Sequence, residues 1–288
     1  MLLRSRIAPT PSGYLHIGNA FNFVFTWLWV RKKGGKLRLR IDDRDTVRSK
    51  PEFIEDIFRT LDWLGLDWDE GPQTPDEQES TYSQARRGER YDEVVEALIK
   101  SGKVFACQCS RKVIQAHSCD CLARNLPLNY PDTALRVVTP LEPVVVQDLQ
   151  AGQVAVTLNT EMKDFVIRRR DGITAYQLFS LIDDIDFGIN LIIRGEDLLS
   201  STAAQLYLAS LMSDTGFEKT QFYHHMLVYD EQHNKLSKSA GSLSLKTMRE
   251  QGVSKEKFYL QLSGMMGLKH PGNSLHELLT LPDALNFI

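Results

Sequence analysis

No apolar run in this 288-residue sequence is long enough to cross a bilayer. The best stretch, residues 20–30, is broken by Asn22 and Thr26, and a spanning helix needs about 20 residues. No small-residue cleavage site follows a basic start, so a signal peptide is not expected. Internal repeats and low-complexity tracts are also lacking, which excludes a solenoid or a disordered linker as the organising principle. Charge of one sign is missing too. Lys and Arg number 34 against 37 Asp and Glu, a net charge of −3, which argues against a general polyanion binder. Cysteine is scarce, with four in all, yet Cys107, Cys109, Cys119 and Cys121 fall within fifteen residues. The chain is expected to be cytoplasmic, and there such a cluster points to a metal rather than a disulfide framework. The rest of the composition, 42% apolar and 25% charged, is that of a globular protein with one main domain and a smaller insertion. A monomer with no membrane partner is expected.

What is present begins at Arg6-Ile-Ala-Pro-Thr-Pro-Ser-Gly-Tyr-Leu-His-Ile-Gly-Asn19. Pro9 and Pro11 fix φ and push the preceding residues into extended geometry, so the run reads as a strand leaving a sheet. Gly13 permits a tight turn, and Gly18 a close approach of a ligand to the backbone. A helix is predicted from His16 to Lys33, stopped by Gly34-Gly35, with Arg31, Lys32 and Lys33 in its last turn. A strand, loop and helix of this kind aim N–H groups and a positive dipole end at an anion, usually phosphate. A second piece, Lys235-Leu-Ser-Lys-Ser239 followed by Gly241, suits a loop that clamps polyphosphate through Lys235, Ser237 and Lys238.

Between these pieces the pattern alternates strand and helix. Residues 36–41 alternate basic and apolar side chains, a strand with one buried face, and Asp42, Asp43 and Asp45 follow at its carboxyl end, where open α/β sheets place ligands. Helices are predicted over 51–64, 83–101, 202–212 and 254–268, with a further helical pattern over 275–279. Short strands are predicted over 134–138, 144–146 and 154–158, and strand and helix patterns return over 165–193. The fold class is therefore α/β: a Rossmann-type parallel sheet carrying a nucleotide site, with a small cysteine-bearing insertion and a short helical C-terminal part. The expected divisions are 1–103, 104–160, 161–246 and 247–288. Asp183, Asp184 and Asp186 read either as a divalent-ion site or as a solvated acidic turn. The stretch from Arg31 to Lys50 carries nine Lys and Arg against three acids; it reads either as a face toward RNA phosphates or as ordinary strand and helix-end charge.

The His16-Ile-Gly-Asn19 run paired with Lys235–Ser239 resembles the signature pair of class I aminoacyl-tRNA synthetases. The flanking Arg6–Gly13 and Leu39-Arg-Ile-Asp-Asp-Arg-Asp45 resemble the glutamyl branch. That resemblance implies an ATP site at His16, Gly18, Asn19, Lys235, Ser237 and Lys238, in which His16, Lys235 and Lys238 stabilise charge on the phosphates. It implies Mg²⁺ carried mainly by the phosphates. It also implies an L-glutamate pocket in which Arg6 faces the side-chain carboxylate and Asp42 the α-ammonium. Tyr176 and Arg194 complete that pocket, and Ala8 and Thr10 line it. Asp42 stands where the branch carries glutamate, a retreat of about 1.5 Å, roughly one methylene. The cysteines have the form Cys-x-Cys-x₉-Cys-x-Cys, which suits four thiolates around structural Zn²⁺ or four reduced cysteines. They resemble the zinc site of the glutamyl-queuosine tRNA(Asp) synthetases, truncated relatives of the glutamyl branch, with Cys119 in a position often held by tyrosine. The short remainder after Lys246 points the same way and implies transfer of glutamate to queuosine in the anticodon of tRNA(Asp). The alternatives are charging of a tRNA 3′ end and a silent RNA-binding paralogue.

Overall fold

The computed structural model describes residues 2–116, 119–213, 215–227 and 243–281. Strand β1 (Arg4–Ile7) leads through the proline-rich loop into helix α1 (Ile17–Lys32) and back to β2 (Lys36–Leu39), which pairs with β1 in parallel. Helix α1 carries no apolar stripe because it needs none. Eleven of its residues, from Ile17 to Val30, are buried on all sides, as befits a helix sandwiched in a core. Phe25 and Trp29 meet Tyr223 of the sheet at ring-centroid distances of 5.2 and 5.0 Å.

Helix α2 (Pro51–Leu64) is amphipathic, begins on a proline and stops at Gly65, whose φ of 74° is left-handed, the ending glycine adopts most readily. Two short helical turns follow, Gln78–Tyr82 and Gln84–Arg87, and then helix α3 (Gly88–Lys100). The helix expected to start at 83 is thus wound more tightly in its first turn. Gln84 is drawn inward there by three carboxylates described below, two on its side chain and one on its backbone N.

Strand β3 (Val104–Cys107) opens the cysteine region, with short helices α4 (Arg111–Ala116) and α5 (Cys121–Arg124). With β4 (Ala134–Val137) and, after the hairpin β5 (Val144–Asp148) and β6 (Gly152–Val156), strand β7 (Val166–Arg168), it forms an antiparallel sheet of order β3-β4-β7. The chain then returns to the main layer through helix α6 (Tyr176–Asp186), β8 (Leu191–Gly195), α7 (Leu199–Ser210) and β9 (Gln221–His225). Strands β8 and β9 pair in parallel, and the β5–β6 hairpin joins their edge through Asp148 and Phe222. Strand β1 runs alongside β8: Asn190 N donates to Arg4 O at 3.0 Å and Ser5 Oγ to Leu191 O at 2.8 Å. The parallel layer is therefore built from two distant halves of the sequence, and its strand ends bring Arg6 and Arg194 together.

Three helices close the described chain: α8 (Leu245–Glu250), α9 (Lys255–Met265) and α10 (Leu275–Thr280). Helix α8 is tied to α2 by Arg249, which pairs with Asp56. No described helix is long and apolar enough to cross a membrane.

Candidate active site and thiol cluster

His16 is the N-cap of α1. Its Nδ1 accepts from Gly18 N at 3.2 Å, while Asn19 Oδ1 accepts from His16 N at 3.0 Å, closing a capping box worth about 0.5–2 kcal/mol. With Nδ1 acting as acceptor, a neutral imidazole carries its proton on Nε2. Asn19 spends its carbonyl on the cap and retains its amide N–H groups as donors. The bridge between His16 and Ser244 and the bond from Leu245 N to Leu15 O at 2.8 Å bring the start of α8 beside this helix end. Lys235, Ser237 and Lys238 lie outside the described residues.

His16, Gly18 and Asn19 share one cavity of about 510 Å³ with Arg6, Asp42 and Arg194. Ala8, Thr10 and Tyr176 complete its wall, so every expected ATP and amino-acid residue that is described lines a single space. Arg194 is its most telling member. It is 4% exposed, and its Nη2 donates to Gln205 Oε1 at 2.7 Å. Its buried Nε and Nη1 have no hydrogen-bond partner among the described residues. Burial pulls its pKa down to about 10, which still leaves a cation at neutral pH. Two unspent guanidinium donors in a low-dielectric wall can receive a carboxylate.

Behind Arg194, its register partner His224 places Nδ1 2.8 Å from Asp148 Oδ2 and Nε2 2.6 Å from Thr202 Oγ1. Burial, with Arg194 nearby, lowers the His224 pKa to about 4. The contact with Asp148 is therefore a hydrogen bond from a neutral ring and not an ion pair.

Arg6 and Asp42 are less free than their sequence roles implied. Arg6 Nε donates to Asp184 Oδ1 at 2.9 Å. Arg40 grips Asp42 through Nε at 2.7 Å and Nη2 at 3.2 Å, and also reaches Asp184 Oδ1 at 2.8 Å. Gln84 Nε2 bridges Asp42 and Asp183 at 3.2 and 2.8 Å, and its backbone N donates to Asp43 at 2.7 Å. Neither reading of Asp183, Asp184 and Asp186 survives. Asp183 and Asp184 are fully buried, and arginines take all three carboxylates: Asp184 is the counter-ion of the pocket's Arg6, while Asp183 and Asp186 hold Arg87. The basic stretch resolves in the same way. Arg31 and Lys36 pair with Asp69, Arg38 with Glu70, and Arg40 is buried, which makes these four of the nine strand and helix-end charge.

Burial pushes the Asp42 carboxyl up to about 6 against the pull of Arg40. The folded protein therefore binds this proton more tightly than the unfolded chain, whose ordinary value is near 3.8. The stability this group contributes is full below that value and lost as pH rises through 6. Binding of an ammonium at Asp42 runs the opposite way, because it needs the carboxylate. The KM for an amino acid should thus be about tenfold higher at pH 5 than at pH 7. A flat KM profile over that range would remove Asp42 from ammonium recognition.

The four cysteine sulfurs converge, all within 4.8 Å of one another. Cys107 Sγ lies 3.6 Å from Cys119 Sγ, and Cys109 Sγ lies 3.6 Å from Cys121 Sγ. Bonds of 2.3 Å in a tetrahedron put sulfurs about 3.8 Å apart, so the donor set and spacing fit Zn²⁺. Phe105, Ile114 and Val138 wrap the cluster. Burial raises the Cys119 thiol above its usual range. At Cys121 burial is outweighed by the Gln108 backbone N–H and the neighbouring thiols, which lower it. Freshly purified protein should carry about one equivalent of zinc, and chelation should release it with a loss of thermal stability. Less than half an equivalent by elemental analysis would defeat the four-thiolate reading. His117, a spare ligand candidate between the two cysteine pairs in the sequence, lies outside the described residues.

Two comparisons in sequence and one in structure bear on this site. The family model described as tRNA synthetases class I (E and Q), catalytic domain, matches residues 2–126 and 123–281. The glutamate–tRNA ligase 2 of Syntrophus aciditrophicus is 37% identical over 96% of this chain and 60% of its own length. The glutamyl-Q tRNA(Asp) synthetase of Nitratidesulfovibrio vulgaris is 35% identical over 88% of this chain and 82% of its own. The chain thus spans little more than half the length of the glutamate–tRNA ligases it matches. In structure it aligns with the glutamate–tRNA synthetase of Elizabethkingia anophelis at a TM-score of 0.76 and 24% identity, over 97% of this chain and 65% of that one, a likeness of fold. With the family model matched over nearly the whole chain, this protein belongs to the class I tRNA synthetases of the E and Q type and carries their catalytic domain.

Proposed function

We propose that the protein activates L-glutamate with ATP and passes the glutamyl group to queuosine in the anticodon of tRNA(Asp). The observation that carries the first step is Arg194, a buried guanidinium with two unpartnered donors in the same cavity as His16. A carboxylate oxygen of glutamate attacks the α-phosphorus of ATP, and pyrophosphate leaves. Arg194 and Arg6 supply the cations that an amino acid with two carboxylates demands. His16, Lys235 and Lys238 stabilise charge on the phosphates. Asp42 and Asp43 are engaged by Arg40, Gln78 and Gln84, which favours Mg²⁺ held by the ATP phosphates. Cys107, Cys109, Cys119 and Cys121 would hold Zn²⁺ in a structural role, outside the chemistry of either step.

In the second step a hydroxyl of the acceptor attacks the glutamyl carbonyl and AMP leaves. The queuosine acceptor is supported by the glutamyl-Q relative, which is similar across most of both chains. The test is ATP–pyrophosphate exchange with glutamate in the absence of RNA, followed by charging with labelled glutamate. Queuosine-containing tRNA(Asp) should be labelled, and the same tRNA lacking queuosine should not. Labelling of tRNA(Glu) at its 3′ end would replace this acceptor with the ordinary one. Absence of exchange with any acidic amino acid would leave the silent paralogue.

A further inference from the structure

Helix α7 buries polar side chains along with apolar ones. Thr202 and Gln205 stand three apart, hence on one face of the helix, and both are fully buried. Thr202 meets His224 of β9, and Gln205 meets Arg194 of β8. A guanidinium has donors only, so the amide oxygen of Gln205 is the atom that faces Arg194 Nη2, at 2.7 Å. The amide nitrogen then points elsewhere. Gln205 Nε2 is buried without a hydrogen-bond partner among the described residues, as are Arg194 Nε and Nη1. An apolar pair of similar size would fill this space with no such loss. Packing alone does not account for Gln205.

The other two buried arginines of this region are held differently. Asp184 takes Arg6 at 2.9 Å, and Asp42 and Asp184 take Arg40 at 2.7 and 2.8 Å. A carboxylate at that distance cancels most of the charge that a guanidinium shows to a ligand. Arg194 alone of the three has an amide for its partner, and His224, opposite it in register, is a neutral ring at pH 7. The cation is therefore fixed in direction by neutral groups and keeps its charge for the cavity whose wall it forms.

We infer that Gln205 sets the charge that Arg194 presents to the amino acid, and with it the preference for a carboxylate over an amide at that end of the substrate. It is a positioning residue, since it acts through Arg194 from behind the cavity wall. The inference rests on the proposed use of glutamate and names the residue that makes the choice of carboxylate sharp.

The variants are Gln205→Glu, which keeps the shape and cancels the charge, and Gln205→Met, which keeps the charge and releases the guanidinium. The ligands are L-glutamate, L-glutamine, with an amide on the side chain, and L-isoglutamine, with an amide on the α-carboxyl. Their dissociation constants are measured by titration calorimetry. In the parent, the analogue whose amide falls at Arg194 should bind at least about 30-fold more weakly than glutamate. Gln205→Glu should weaken glutamate by about tenfold or more and shrink that penalty to about threefold, leaving the penalty for the other amide unchanged. Its melting temperature should hold or rise, because a buried cation gains its counter-ion. Gln205→Met should weaken glutamate by about fivefold and keep the parent's penalty for both amides. In pyrophosphate exchange the KM for glutamate should follow these losses, with the KM for ATP within about twofold of the parent. A residue that served only the fold would move stability and leave the carboxylate-to-amide ratio alone. Both amide penalties unchanged in Gln205→Glu overturn the inference. If that variant does not fold, unchanged glutamate affinity in Gln205→Met overturns it, and a fall of about fivefold supports it. A parent that neither binds nor exchanges glutamate overturns the amino-acid reading and this inference together.

Discussion

Replacing Arg194 with methionine is expected to lower kcat/KM for glutamate in ATP–pyrophosphate exchange by about 10²–10³-fold, because truncating one side of a buried charge pair costs roughly 2–5 kcal/mol. The loss should appear mainly in the KM for glutamate, since the contact to the carboxylate exists before and during the reaction. Stability is expected to move the other way or not at all. In the unliganded protein Arg194 is a buried cation whose Nε and Nη1 have no partner among the described residues and whose Nη2 has only Gln205. Methionine of similar length removes that cost and keeps much of the packing. A wall residue that served only the fold would show the reverse, a lower melting temperature with an unchanged KM. A KM within threefold of the parent would remove Arg194 from carboxylate recognition.

This opposition between binding and stability explains what was legible in the sequence and what was not. Helix α2 could be read to the residue, because its apolar spacing, first-turn Pro51 and terminal Gly65 are all local signals. Helix α1 was legible from its Gly34-Gly35 stop and not from its periodicity, since burial on all sides erases the stripe. The candidate ligands Arg6, Asp42, Tyr176 and Arg194 came from resemblance, and the fold brings them around one cavity. The pairing of Arg40, Gln84 and Asp184 was not legible. Alternation over 36–41 places Arg40 on a solvent face. Helix α6 covers that face and supplies Asp184, which is 144 residues away in sequence. Gln84 was hidden similarly, as its partners Asp42 and Asp183 lie 42 and 99 residues away. Charge pairing across such separations leaves no mark on spacing. The one usable signal was the excess of acids at 183–186, and it needed partners before it had a meaning.

The other large effect is expected at Asp184. Its Oδ1 takes both Arg6 Nε and Arg40 Nη1, its Oδ2 has no partner among the described residues, and the residue is fully buried. Burial alone would raise this carboxyl, yet Arg6 and Arg40 outweigh it and hold it below its ordinary value. The carboxylate is thus ionised at neutral pH and is the charge that allows two guanidiniums to stay inside. Asp184→Asn keeps the shape and an acceptor oxygen but deletes that charge. Leaving a buried partner uncompensated costs about 3–5 kcal/mol, which for a chain of this size lowers the melting temperature by roughly 10 °C. Arg40 retains Asp42, whereas no other ion pair is found for Arg6 among the described residues. The burden therefore falls on Arg6. The double variant Arg6→Met with Asp184→Asn should then lose less stability than the two single losses added together, by an interaction energy within the ~0.5–3 kcal/mol expected of contacting residues. Strict additivity in that cycle, measured by thermal or urea unfolding, would mean that Asp184 does not hold Arg6 in place.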